Sequence, residues 1–162
     1  MQPLTPADVQ AAMKRLGLAT EITFFETTTA TSQQAADAIG CELGQIVKSL
    51  AFIVEDQPIL VLASGDQRVD DRKIAAMYNV GRKKVKVATP EQCVDIYGYP
   101  PGSVAPFGHR TQGLPMYIDD SLKRFPQLYA SGGAHNAIFP ITLEQLVQTT
   151  GGHFADVKRD DS

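Results

Sequence analysis

The sequence predicts an α+β fold, and three observations carry that prediction. Helical and strand-like segments alternate without the regular βαβ rhythm of a doubly wound sheet. An apolar run, Leu50 to Val54, is followed by the turn residues Asp56-Gln57-Pro58 and a second run, Ile59 to Ala63, which reads as a hairpin. The 13 glycines and 10 prolines are spread along the chain without a period, as expected where many turns join short elements.

The elements follow in order. Thr5-Pro6 opens a helix in which Val9, Ala12, Met13 and Leu16 recur at helical spacing before Gly17. Ile22 to Glu26 reads as a strand. Thr31 or Ser32 caps a second helix through Ala35, Ala36 and Ile39, stopped by Gly40. Asp70 or Asp71 starts a short helix toward Tyr78, and Val85 to Ala88 reads as a strand. Thr89-Pro90-Glu91-Gln92 is a strong helix start: a capping Thr, Pro at the first position and Gln at the third. Gly98 to Gly113 is a long loop rich in Gly and Pro, a kind of segment that in compact domains is usually functional. Met116 to Ile118 is a strand, and Asp119-Asp120-Ser121 starts a helical turn. Strands at Leu128 to Ser131 and Ala137 to Ile141 flank Gly132-Gly133. Thr142-Leu143-Glu144-Gln145 is a further capping box, and Phe154 to Val157 reads as a last short strand.

A chain of 162 residues with no linker or composition break is expected to form one domain, 1–162. No apolar run approaches the roughly 20 residues of a membrane helix. The start, MQPLTPADVQ, lacks the basic and apolar regions of a secretory signal, so a cytoplasmic location is expected. Cys41 and Cys93 read as small buried hydrophobes in a reducing compartment. Neither they nor His109, His135 and His153 have metal-ligand spacing, so no metal and no cofactor are expected. Nucleotide-loop, nucleophile-elbow and zinc-protease motifs are absent.

The net charge of -3 is unevenly distributed: Gln67 to Lys86 carries +5 and the remainder -8. Such a segment can contact a few phosphates without coating a duplex. Charge alone favours a solvated helix and turn.

Three local features are candidates for chemistry. Lys48 opens an otherwise apolar strand, and its ammonium requires a partner or a cleft. It is either a solvated strand end or a group that holds a phosphate, carboxylate or carbonyl. The loop Gly102-Ser103-Val104-Ala105-Pro106 combines a flexible and a fixed position and can present backbone N–H groups to a small polar group. Its alternative is a plain surface loop. Ser131-Gly132-Gly133, with His135 and Asn136 beyond, permits close approach of a ligand or another backbone. Its alternative is an ordinary hairpin turn.

Taken in order, these features resemble the YbaK / prolyl-tRNA synthetase-associated editing domain family. The resemblance runs from about Thr5 to Val157. It rests on Gln45-Ile46-Val47-Lys48-Ser49-Leu50, Gly65-Asp66, the Gly102–Pro106 loop, Tyr117-Ile118-Asp119 with Ser121-Leu122, and Ser131-Gly132-Gly133. It implies a mixed, partly barrel-like β-sheet surrounded by helices. It also implies hydrolysis of the ester joining a wrong, small amino acid to the 3′ acceptor end of a tRNA, with tRNA-Pro the expected carrier. The chain would act in trans, with a separate prolyl-tRNA synthetase as a further partner, no membrane, and either a monomer or a homodimer.

The resemblance carries site roles onto matching positions. Lys48 anchors the terminal adenosine phosphate or the substrate's polar end. Gly102, Ser103, Val104, Ala105 and Pro106 cradle the aminoacyl group, with backbone N–H groups on its carbonyl. Ser131, Gly132 and Gly133 form the other side of the pocket, with His135 as a polar contact. Ser49 follows the lysine where alanine-specific relatives resemble Lys-Asn, and Phe25 and Ile138 make the pocket apolar. The attacking water is assisted by the substrate's ribose hydroxyl. A non-catalytic module that binds a tRNA end or a protein is the competing reading, motivated by the lack of a recognisable general base.

Overall fold

The computed structural model describes residues 1–160. In chain order it contains α1 (Pro6–Arg15), β1 (Thr23–Phe24), α2 (Ser32–Ile39), β2 (Val47–Val54), β3 (Gln57–Ser64) and α3 (Asp71–Met77). There follow β4 (Val85–Val87), α4 (Pro90–Gln92), β5 (Met116–Asp119), β6 (Gln127–Ser131), β7 (Ala137–Thr142), α5 (Leu143–Thr150) and β8 (His153–Ala155). The fold is α+β with two sheets. One has the order β1-β7-β6; the other is mixed, in the order β4-β2-β3-β5-β8. A parallel bridge between Ile46 and Tyr129 links the strand edge at the start of β2 to β6, so the sheets meet there.

The β2–β3 hairpin is the longest pairing, running from Val47 opposite Ser64 to Val54 opposite Gln57, and it sets Lys48 opposite Ala63. Its apolar content follows from burial on both faces. Leu60 and Leu62 enter the main core with Val9, Met13, Ile118, Leu128, Phe139 and Leu146. Ile59 and Val61 enter a second cluster with Phe52, Ile74, Val85 and Val157. The Tyr97 hydroxyl joins the two strands by donating to the Ile59 carbonyl at 2.7 Å and reaching that of Phe52 at 3.2 Å.

Helix starts lie where local chemistry predicts them. Reciprocal side-chain and backbone bonds link Thr31 to Gln34, Thr89 to Gln92 and Thr142 to Gln145, all within 2.9–3.1 Å. Other boundaries differ from the sequence reading. The hairpin turn is Glu55-Asp56, with Glu55 at φ 55°. Pro58 lies inside β3 opposite Ile53, because two residues from a tight turn an antiparallel ladder asks no N–H of it. The strand read over Ile22 to Glu26 is reduced to Thr23–Phe24. β8 ends at Ala155, and the Val157 N–H leaves the ladder to donate to buried Asp119 at 2.9 Å. The helix after Thr89 makes one α-turn and then widens into a π-turn over Cys93–Tyr97, ended by Gly98 at φ 104°.

The Gly132-Gly133 pair serves the interior. A Cβ on Gly133, whose φ is +97°, would lie 2.8 Å from Val9 Cγ2 and 3.1 Å from Tyr99 Cε1. At Gly151, φ is +64° and nothing lies within 4 Å. Gly133→Ala combines backbone strain with overlap and should cost more than about 1 kcal/mol of stability. Gly151→Ala carries only the strain and should cost less. Urea unfolding of the two variants measures the difference, and equal losses would show that the close approach at Gly133 is relieved at no cost.

Candidate functional site

The cavity that gathers five of the twelve sequence candidates encloses about 330 Å³. Its walls come from four places: Thr29 to Ser32 with Ala35 at the start of α2, Ile46 to Leu50 at the start of β2, Gly102 and Val104 of the long loop, and Ser131 and Ile138 of β6 and β7. Lys48, Ser49, Gly102, Val104 and Ser131 thus share one cavity although up to 83 positions separate them in sequence.

Lys48 is half-buried because β2 begins where the two sheets meet. Its ammonium donates to the Gln67 carbonyl beyond the end of β3. Burial lowers its pKa from the ordinary lysine value, opposed by the nearby Asp66 carboxylate and reinforced by the Arg68 charge. Asp66 itself is held below the usual carboxylate range, chiefly by its hydrogen bonds from Arg124. The N-terminus of α2 lies on the same cavity, adding partial positive charge from its first N–H groups. A lysine and a helix N-terminus on one small cavity favour an anionic or strongly polar group.

The centre of the long loop, Ser103 to Phe107, is buried and firmly held, unlike a plain surface loop. Val104, Ala105 and Phe107 belong to the main core, and the Phe107 ring lies 5.6 Å from that of Phe139. The His109 ring bonds the Ala105 carbonyl at 2.7 Å, and Arg110 donates to the Val94 carbonyl at 2.7 Å. Gly102, at φ +84°, passes so close to the chain that an added Cβ would lie 3.2 Å from the Ala30 carbonyl oxygen. The Ser103 N–H is engaged by the Pro100 carbonyl at 3.0 Å, and the Ser103 hydroxyl is buried without a protein partner.

Other candidates lie elsewhere. Ala105 and Pro106 are buried behind the loop residues that line the cavity. Gly132 and Gly133 back onto Ile22 and α1, not onto the cavity. Phe25 packs against the cluster of Ala35, Ala36, Ile46 and Ile138, behind the wall. His135 is exposed and acts as a strap: its ring bonds the Pro101 carbonyl at 3.1 Å, and its own carbonyl accepts from Thr28 and Thr29. The sequence reading missed Thr29 to Ser32 as cavity wall. The run Thr27-Thr28-Thr29-Ala30-Thr31-Ser32 before a capped helix was the available signal. Among the described residues no group of three His, Cys, Asp or Glu side chains is placed to hold a metal ion, and no helix is long and apolar enough to cross a membrane.

Comparison with known proteins finds similar sequences and a similar fold. The model of a family described as the aminoacyl-tRNA editing domain matches residues 26–149. YwhH of Bacillus subtilis, a protein of uncharacterised role, is 36% identical over 127 residues, covering 78% of each chain. A crystal structure provisionally described as a trans-editing enzyme for prolyl tRNA synthetase superposes with a TM-score of 0.88 at 36% identity, covering 95% of this chain and 96% of that one. A proline–tRNA ligase of Shouchella clausii is 29% identical over 98 residues, which are 60% of this chain and 17% of the ligase.

His109 supplies a pH test of the loop. Burial lowers its pKa from the ordinary value, so below about pH 6.5 the unfolded chain takes up a proton before the folded one does. Stability should therefore fall as pH drops through that region, because burial outweighs the bond to the Ala105 carbonyl, which by itself favours the protonated ring. His109→Asn should flatten this slope in thermal unfolding between pH 7 and pH 5. An unchanged slope would assign the acid sensitivity to other groups.

Proposed function

Because the chain belongs to the aminoacyl-tRNA editing domain family, we propose that it hydrolyses, in trans, the ester of a tRNA carrying a wrong, small amino acid. The observation that carries this reading is the shared cavity, where a half-buried lysine and a helix N-terminus face the wall formed by Gly102 and Val104. A volume of about 330 Å³ is at the lower end for ligand pockets. It suits a small aminoacyl group with part of its terminal ribose.

In this mechanism Lys48 holds the terminal phosphate or the polar end of the substrate and takes no covalent part. The Gly102–Pro106 loop and Ser131 flank the aminoacyl group, and Ser49 lies beside the lysine. Water, assisted by the terminal ribose hydroxyl, adds to the ester carbonyl. The tetrahedral oxyanion collapses, the carbonyl–ribose C–O bond breaks, and the ribose oxygen takes up a proton. Free amino acid and uncharged tRNA result. An ester is already activated, so positioning and charge stabilisation are the main requirements. The similarity to a segment of a proline–tRNA ligase favours tRNA-Pro as the carrier.

A panel of tRNA-Pro charged with Ala, Ser, Thr, Cys or 2-aminobutyrate tests the reading. At least one ester should turn over well above the buffer rate, and Lys48→Ala should abolish that turnover. No turnover of any ester, or full activity of Lys48→Ala, would overturn it; tRNA binding without hydrolysis would indicate a binding module instead.

The basic segment has a separate test. Lys83 and Lys84 are exposed near the hairpin turn, about 20 Å along β2 from Lys48 at the strand rise of about 3.3 Å per residue. If they contact acceptor-stem phosphates, Lys83→Gln/Lys84→Gln should weaken tRNA binding. It should also reduce the slope of log affinity against log salt by about one to two. An unchanged slope would leave them as solvated surface.

A further inference from the structure

We propose that Arg124, through a two-pronged bond to Asp66, is the positioning residue that fixes Lys48 at the cavity; this rests on the reading of Lys48 as the substrate anchor. Arg124 Nη1 and Nη2 donate to the two Asp66 carboxylate oxygens at 2.9 and 2.7 Å. Asp66 also accepts from the Gln67 side-chain amide at 3.3 Å. Gln67 is the residue whose main-chain carbonyl receives the Lys48 ammonium. The fork therefore holds the two-residue segment on which the lysine rests.

The arginine is itself set from three sides. Its Nε donates to the Ser121 carbonyl at 2.8 Å, and its guanidinium lies 5.0 Å from the Phe125 ring. The turn Asp120–Arg124 is anchored by buried Asp119, which accepts from the N–H groups of Ser121 at 3.0 Å and Val157 at 2.9 Å. The turn preceding β2 closes against the fork at Gly44. A Cβ there would lie 2.7 Å from the Phe125 ring, 2.9 Å from Arg124 Nη2 and 3.0 Å from Asp66 Oδ2. The Ser64 hydroxyl donates to the Gly44 carbonyl at 2.8 Å, tying that turn to the end of β3. One ion pair thus touches the approach to β2, the exit from β3 and the turn after β5. Lys48 sits between the first two of these.

An exposed ion pair contributes little to stability. Its two-pronged geometry instead fixes orientation, which a lysine at the same position cannot reproduce. A misplacement of about 1 Å can lower a rate about a hundred-fold.

Arg124→Gln should lower kcat/KM for the susceptible tRNA ester about ten- to a hundred-fold. The loss should appear chiefly as a raised KM, as expected where a substrate anchor is misplaced. Added to Lys48→Ala it should cause no further loss of tRNA affinity, and Arg124→Lys should restore activity only in part. Lys123→Ala, which removes the neighbouring ion pair to Asp120, serves as the control and should remain near wild type. A fall in kcat with KM unchanged, an additive loss of tRNA affinity in the double variant, or wild-type activity of Arg124→Gln would each overturn the proposal. A crystal structure of Arg124→Gln reads it without activity: the Lys48–Gln67 bond should be lost, and its retention would overturn the positioning role. Absence of hydrolysis by the unaltered chain would instead overturn the proposed function.

Discussion

A lysine ammonium half removed from water is the constraint on which the site depends. Desolvation disfavours its charge, and the N-terminus of α2 on the same cavity adds partial charge of the same sign. Within the chain, the Gln67 carbonyl and the Asp66 carboxylate are what hold that charge in place. Neither is on the element that carries Lys48; both follow the partner strand. The β2–β3 pairing is therefore more than core, because its register brings the start of one strand beside the exit of the other. An incoming anionic or strongly polar group would relieve the remaining charge imbalance, which gives the cavity a bias toward such ligands.

What was legible in the sequence was local or broke a pattern. Thr31, Thr89 and Thr142 announce their helices because each capping box closes within four residues. Lys48 stood out because a charge at the head of an apolar strand demands an explanation. What was not legible depends on partners distant in the chain. Gly132 and Gly133 read as room for a ligand, yet the room is taken by Ile22, Val9 and Tyr99. His135 read as a pocket group, yet its bonds strap the Thr28–Thr29 segment to Pro101. Pro58 read as a turn residue, whereas it lies in the ladder at a position that requires no N–H. Thr29 to Ser32 became cavity wall only through the packing of α2 beside β2.

The basic segment shows how a sequence sum divides in three dimensions. Lys73 pairs with Asp156 and Asp160 outside the segment, which offsets part of the +5, whereas Arg82 pairs with Asp71 within it. Arg68 lies close enough to Lys48 to oppose its charge. Lys83, Lys84 and Lys86 remain exposed near the far end of the hairpin. The proposed tRNA contact is consequently split between a few charges at the cavity and a few more about one strand length away. Such spacing suits a ligand that enters by its end and lies along the surface.

Under the proposed function, size selection would follow from how the cavity wall is supported. A synthetase pocket cannot strongly reject a smaller amino acid, because one missing methylene is worth only about 1–3 kcal/mol. A second, narrower site discriminates by exclusion instead, and exclusion works only if the wall does not yield. Here the loop that bears Gly102 and Val104 is held by Phe107 against Phe139, by His109 on Ala105, and by His135 on Pro101. The opposite wall is Ala35, Ile46 and Ile138, all buried and backed by Phe25. An oversized side chain would have to displace close-packed core to enter, at a typical overpacking cost of about 1–3 kcal/mol. That is comparable to the discrimination a synthetase pocket fails to supply, so the rigidity of this loop, more than any reactive group, sets which ester the proposed activity accepts.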